Sequence, residues 1–262
     1  MTDLSWEFIS GDDPIIATAI HAGHDLRSDA ASLTALADDE RLREEDPFTD
    51  RWVDVAANTV VVSRSRFEVD LNRTRDKAVY RKPDDAWGLD LWKSDPSDEF
   101  VAESLGLYDQ FFRELGEMCD ELVATHGRFV VLDLHSYNHR RRGHDQPVDD
   151  PDANPEINLG TESTPAASQH LVEVFGSALR SHPFDDGHLD VRENVKFKGG
   201  AMTRWVNERY PDHGCSIAVE MKKIFMDEWT GELDEIIADD IGRALNAATV
   251  AVRDTLKGSS QA

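Results

Sequence analysis

The chain is poor in cysteine, poor in positive charge and without a long apolar run, and each scarcity excludes a class of protein. Cys119 and Cys215 are the only cysteines in 262 residues. They sit in apolar surroundings and share no metal-ligand spacing, so they read as reduced, buried thiols of a cytoplasmic protein. No segment approaches the roughly 20 consecutive apolar residues of a membrane span, which excludes a membrane partner. The opening Met1-Thr-Asp-Leu-Ser-Trp6 lacks the basic start and apolar stretch of a secretory signal. Bases number 28 against 52 acids. Without a basic stripe to neutralise phosphates, nucleic acid is excluded as a partner. The one basic run, His139-Arg-Arg-Arg142, is short and follows a candidate metal ligand, so it reads as substrate or loop chemistry. No loop has calcium-ligand spacing, and nothing resembles a repeat, a coiled coil or a domain boundary. One domain over residues 1–262 is expected.

What is abundant is acid. The net charge is −24, and the acids lie along the whole chain. A dispersed acidic surface keeps a protein soluble at the cost of self-repulsion, as in halophiles. At multimolar salt the Debye length falls to about 3 Å or less and the repulsion disappears. A salt-loaded cytoplasm is the expected setting.

Apolar runs of strand length alternate with helical patterns. Residues 14–20 form a near-continuous apolar run, as in a strand buried on both faces. Residues 59–62 and 67–71 read as a strand pair, and 129–134 and 216–219 as further strands. Between 98 and 126, Val101, Leu105, Tyr108, Phe112, Leu115 and Leu122 recur at helical spacing. Ser97 or Asp98 can cap that helix, and Gly127 closes it. Residues 166–181, 201–210 and 234–256 read as helices, 82–98 and 140–162 as irregular, and 258–262 as a frayed end. The alternation predicts an open α/β sheet with helices on both sides.

The chemistry-bearing residues cluster where those strands end. Ligands bind at the carboxyl ends of strands in open α/β sheets, and His21, His135 and Glu220 each lie at such an end. His21 and His24 are three residues apart, so a turn could aim both rings at one ion. With His135 they would supply three nitrogens and leave a fourth position for water, the layout of a catalytic zinc site. Asp25 is an alternative ligand to His24. Glu220 would serve as general base and then as proton donor to a leaving amine. Asp133 shares a strand face with His135 and is placed to orient the site. Arg66, Asn72 and Arg73 form a second group: arginine grips a carboxylate through two parallel hydrogen bonds. Arg73 would then clamp a carboxylate beside the scissile amide, while Arg66 stabilises the oxyanion.

Six elements carry a family resemblance: His21-Ala-Gly23, Phe67-Glu-Val-Asp-Leu-Asn-Arg73, Asp133-Leu-His-Ser136, Asn158-Leu-Gly-Thr161, Phe197-Lys-Gly-Gly200, and Glu220 followed by Met226-Asp-Glu228. In this order they resemble the N-formylglutamate amidohydrolase family, and Glu45-Asp-Pro-Phe-Thr49 also looks like a family element. The order is similar, more distantly, to that of zinc carboxypeptidases and aspartoacylases. The resemblance implies a three-layer α/β/α fold with a central mixed sheet, of the phosphorylase/hydrolase type, and one zinc ion per chain. It implies His21, His24 and His135 as ligands, Glu220 as acid/base, and Arg66, Asn72 and Arg73 at the substrate. Thr203 and Arg204, after the glycine pair, would line the pocket. Carboxypeptidases and aspartoacylases have Glu where His24 stands, so Asp25 or Glu45 is also open as the second ligand. The implied substrate is a small N-acyl amino acid such as N-formylglutamate. The alternatives are a carboxypeptidase, an aspartoacylase-like deacylase, or a carboxylate-binding protein of the same fold without turnover.

Overall fold

The computed structural model describes residues 5–185 and 187–259. Residues 1–4 of the opening stretch, and 260–262 of the stretch read as a frayed end, lie outside them. Among the described residues the strands are β1 (Trp6–Ile9), β2 (Ile15–Ala19), β3 (Asn58–Val62), β4 (Phe129–Tyr137), β5 (Ile157–Gly160), β6 (Pro183–Phe184), β7 (Gly187–His188), β8 (Val191–Glu193) and β9 (Gly214–Lys222). The α-helices are α1 (Ser28–Leu33), α2 (Asp38–Glu44), α3 (Asp98–His126), α4 (Gln169–Ser181), α5 (Ala201–Arg209) and α6 (Glu235–Ser259). Seven strands form a mixed sheet in the order β1-β3-β2-β4-β9-β5-β8. Its centre, β3-β2-β4-β9, is parallel, whereas β1 and β5 pair antiparallel with β3 and β9.

The near-continuous apolar runs are explained by two cores. Every residue of β2 and of β4 is buried. Ile15, Ala17, Leu132 and Ile217 pack in one cluster with Leu171 and Phe175 of α4 and Ile241 and Leu245 of α6. Ile16, Phe129 and Val131 point the other way, onto Phe111 and Leu115 of α3 and Val206 of α5. Alternate side chains of each central strand therefore feed opposite helical layers, which is the three-layer α/β/α arrangement. Ser97 caps α3 by accepting the Phe100 N–H, and Gly127 ends it at φ 74°. Among the described residues, no helix is long and apolar enough to cross a membrane.

The expected second strand over 67–71 is not formed; the chain there turns without pairing. Phe67, Val69 and Leu71 are buried, as the alternation requires, but so are Glu68 and Asp70. Those two carboxylates have ionic partners, Arg27 and Arg64 for Glu68, His21 and Arg66 for Asp70. Both faces of the segment are thus used, and ion pairs with turn hydrogen bonds such as Asp70 N–H to Ala78 O, not a ladder, hold it. Strands β4 and β9 are longer than their apolar runs and carry His135 and Glu220 inside the sheet. Strand β5 falls in a stretch that composition marks as irregular.

Candidate active site

The parallel core puts the carboxyl ends of β2, β3, β4 and β9 on one edge, and a cavity of about 330 Å³ opens there. His21, Asp46, Asn72, His135 and Glu220 are among its walls. His135 and Glu220 are register partners across β4 and β9, and Asn158 of β5 is Glu220's partner on the other side. The His21 and His135 rings are 4.8 Å apart.

His21, His135 and Asp46 offer ligand atoms that all lie within 4.8 Å of one another, and all three residues are buried. Asp46 Oδ2 is 2.9 Å from His135 Nδ1 and 3.3 Å from His21 Nδ1. The far nitrogens are also held: His21 Nε2 lies 2.8 Å from Asp70 Oδ1, and His135 Nε2 lies 2.9 Å from Asp133 Oδ1. A ring that donates Nε2–H to a carboxylate presents its Nδ1 lone pair on the opposite side, the arrangement of metal-ligating histidines. His21 Nδ1 is buried and has no hydrogen-bond partner. An orphaned imidazole nitrogen facing a buried carboxylate and a second ring fits a divalent cation. Burial would raise the Asp46 carboxyl, but the two imidazoles hold it far below the usual range. Burial would lower the His135 imidazole, but Asp133 and Asp46 drive it well above its usual value.

The third position is a correction. His24 does not join His21 and His135: its Nδ1 is 2.6 Å from Glu45 Oε2, and Arg41 Nη2 lies 2.9 Å from its Nε2. The cause is Gly23. A Cβ there would stand 2.2 Å from the Ser63 carbonyl carbon, so the chain leaving β2 is pressed against the end of β3. Asp25 N–H bonds Ser63 O at 3.0 Å and Ser65 N–H bonds Asp25 O at 2.8 Å. This pairing turns residue 24 away from the cavity and leaves Asp25 exposed. Glu45 is buried, but Ser65, His24 and Arg41 consume its carboxylate.

Asp46 is the residue that spacing does not reveal. It follows α2 by two positions, far from any strand, in the quoted Glu45-Asp-Pro-Phe-Thr49 element. Its placement is over-determined. Its N–H donates to His21 O at 2.9 Å, and its carbonyl accepts the Thr49 hydroxyl at 2.7 Å. Lys223 Nζ donates to the carbonyls of Arg43 and Glu45 at 2.7 and 2.8 Å. An Asp before Pro, in a motif with no apolar periodicity, is the only signal that points to it.

Glu220 is 7% exposed, and burial pushes its carboxyl up to about 7, with His135 opposing and Asp46 adding to the rise. That is a value suited to exchanging protons near neutrality. Arg66 Nη2 donates to Asp70 Oδ2 at 2.8 Å, and Arg73 Nε lies 3.8 Å from the same atom. Burial would lower Arg66, but Asp70 keeps it firmly protonated. Asn72 Oδ1 accepts the Met202 N–H at 3.3 Å. A Cβ on Gly200 would stand 1.9 Å from that oxygen, so only glycine lets the start of α5 dock here. Asn158 holds the same approach, accepting the Val195 and Lys196 N–H groups and donating to Phe197 O.

Two expected pocket residues lie elsewhere. Thr203 is fully buried; its hydroxyl bonds Asp133 Oδ2 at 3.0 Å and Ser216 Oγ at 3.2 Å. It supports Asp133 from beneath and does not reach the cavity. Arg204 is exposed and donates to Gly199 O at 2.7 Å, outside the cavity wall. The cavity is instead lined by Arg43, Arg66, Arg73, Arg141, Lys198 and Lys223, against the acids Glu44, Asp46 and Glu220.

A family model described as N-formylglutamate amidohydrolase matches residues 13–226. No curated protein sequence matches the chain. The crystal structure of an N-formylglutamate amidohydrolase from Ralstonia eutropha JMP134 superposes with a TM-score of 0.79 at 17% identity, over 97% of this chain and 99% of that one. The gene product Atu2144 of Agrobacterium tumefaciens superposes with a TM-score of 0.63 at 16% identity, over 96% and 93%. These likenesses establish the fold.

Proposed function

Because the chain belongs to the N-formylglutamate amidohydrolase family, we propose that it hydrolyses the amide of a small N-acyl amino acid such as N-formylglutamate, with one zinc ion held by His21, His135 and Asp46. Two imidazoles and one carboxylate are a donor set of catalytic zinc, and the carboxylates behind both rings support it. Bound there, the ion supplies Lewis acidity toward water and the amide carbonyl. Glu220 takes a proton from the attacking water and returns it to the leaving nitrogen. Arg66 faces the charge that develops on the carbonyl oxygen. Arg73 and Asn72 hold the substrate carboxylate, so that the amide is presented to Glu220.

The observation that carries this reading is the convergence of His21, His135 and Asp46 beside Glu220 in one cavity. The charge of that cavity supports the anionic substrate. Six bases line it against three acids, in a chain of net charge −24. Both cysteines are free and buried, in keeping with a cytoplasmic enzyme. The test is hydrolysis of N-formylglutamate, followed as formate release, with metal content measured in parallel. Activity lost to a chelator and restored by zinc is expected. Stoichiometric substrate binding with no turnover at any metal load would instead mark a carboxylate-binding protein.

A further inference from the structure

Residue 87 is a tryptophan where local physics favours asparagine or glycine. Trp87 has φ 54° and ψ 23°, in the left-handed region, and Gly88 follows at φ 92°. A bulky side chain is a genuine outlier there, and such strain persists only when the surroundings compensate it. Core burial is not the compensation, because Trp87 is 46% exposed. What it touches is the substrate clamp. The Arg66 guanidinium carbon lies 4.9 Å from the centre of the indole, and that of Arg73 lies 5.8 Å away. Tyr80, whose hydroxyl donates to Asp70, meets the indole edge-on at 6.1 Å. Trp87 also forms part of the wall of the 330 Å³ cavity.

These contacts define a division of labour. A guanidinium binds carboxylates through its edge and aromatic rings through its face. An indole whose centre lies 4.9 and 5.8 Å from the two guanidinium carbons restrains both arginines and removes water from one side; Arg66 spends Nη2 on Asp70, which leaves Arg73 the better placed to take a substrate carboxylate. We propose that Trp87 is a specificity-determining residue: it holds Arg73 where it receives a substrate carboxylate, with Arg66 beside it toward the scissile carbonyl, and so selects anionic over neutral substrates. The inference rests on the amidohydrolase reading for the identity of the substrate, but not for the binding of a carboxylate. Trp87 touches no reacting atom: through Arg73 its loss raises KM for carboxylate substrates alone, and through Arg66 it lowers kcat for charged and neutral substrates alike.

The experiment compares wild type with Trp87→Ala, Trp87→Phe and Trp87→Gly. The substrates are N-formylglutamate and the neutral analogue in which both carboxylates are primary amides. Trp87→Ala should raise KM for N-formylglutamate about tenfold, the combined size of two partly exposed cation–π contacts, and lower kcat by a factor that the amide analogue shares. It should leave KM for the amide analogue unchanged. Trp87→Phe should restore most of the difference. Trp87→Gly should melt no lower than wild type, since glycine relieves the left-handed backbone, and should lose discrimination like the Ala variant. Equal KM changes for both substrates, or a fall in kcat alone, would overturn the inference. Calorimetric titration of glutamate into each protein, which needs no turnover, separates the two levels. Binding that weakens about tenfold in Trp87→Ala, in a protein that never hydrolyses N-formylglutamate, would sink the amidohydrolase reading and uphold the role of Trp87. Binding of equal strength in both proteins would overturn that role.

Discussion

Replacing Glu220 by Gln should do two opposite things, and both follow from its burial. The carboxyl is 7% exposed, and its pKa stands at about 7, raised from 4.5 chiefly by desolvation. A raised acid binds more protons in the folded than in the unfolded chain between those two values. The metal-free protein therefore loses stability as pH climbs from about 4.5 to about 7, and the loss levels off above that. At 1.36 kcal/mol per unit, the ionised carboxylate costs about 3 kcal/mol at pH 8. Glutamine carries no charge, so the variant escapes that cost. Urea denaturation in chelator and fixed salt should show Glu220→Gln to be more stable than wild type by about 3 kcal/mol at pH 8. At pH 5 the advantage should shrink to a small remainder. Turnover of the zinc-loaded variant should meanwhile fall by about 10²–10⁴-fold, the range for a lost general base, with zinc still bound. A cation on His21, His135 and Asp46 favours the nearby carboxylate, so the acidic limb of the wild-type kcat/KM profile should lie below pH 7. A stability difference identical at pH 5 and pH 8 would refute the burial argument. Near-wild-type turnover would remove Glu220 from the mechanism.

Asp46→Asn should weaken zinc affinity by at least tenfold, read by competition with a chromogenic chelator, whereas His24→Gln should change it far less. Arg73→Ala should raise KM for substrates bearing a carboxylate and spare neutral amides; equal effects would end the clamp idea. Gly200→Ala should displace the Asn72 side chain, since the added carbon would stand 1.9 Å from its oxygen; the check is a loss of activity exceeding any loss in Tm. Raising salt from about 0.1 M to about 1 M should raise Tm if dispersed acids dominate the surface field, and a flat or falling Tm would count against the halophilic reading.

The legible parts of the site were those tied to apolar strands. His21, His135 and Glu220 each border a run that could only be a buried strand, and strand ends on one edge of a sheet meet. That His135 and Glu220 are side by side required the pairing of β4 with β9, strands separated by the whole of β5 to β8. No local pattern specifies such a neighbour. Asp46 was illegible because its position is set by a lysine almost 180 residues on in the chain and by backbone bonds within its loop. The spacing of His21 and His24 predicts shared coordination only if the intervening turn is free, and Gly23 is jammed against β3. Over 67–71 the period-2 pattern reports burial correctly, but the polar face meets buried counter-charges where solvent was expected.

The six bases of the cavity sit inside a molecule that repels anions. In dilute buffer a negatively charged reactant climbs an uphill potential before it meets the arginines, and encounter is slowed. In brine the long-range barrier is gone, while guanidinium groups at contact distance keep most of their pull. Such an enzyme would gain speed of capture from the very ions that weaken ordinary charge recognition, and its grip would be felt only by molecules already at the mouth.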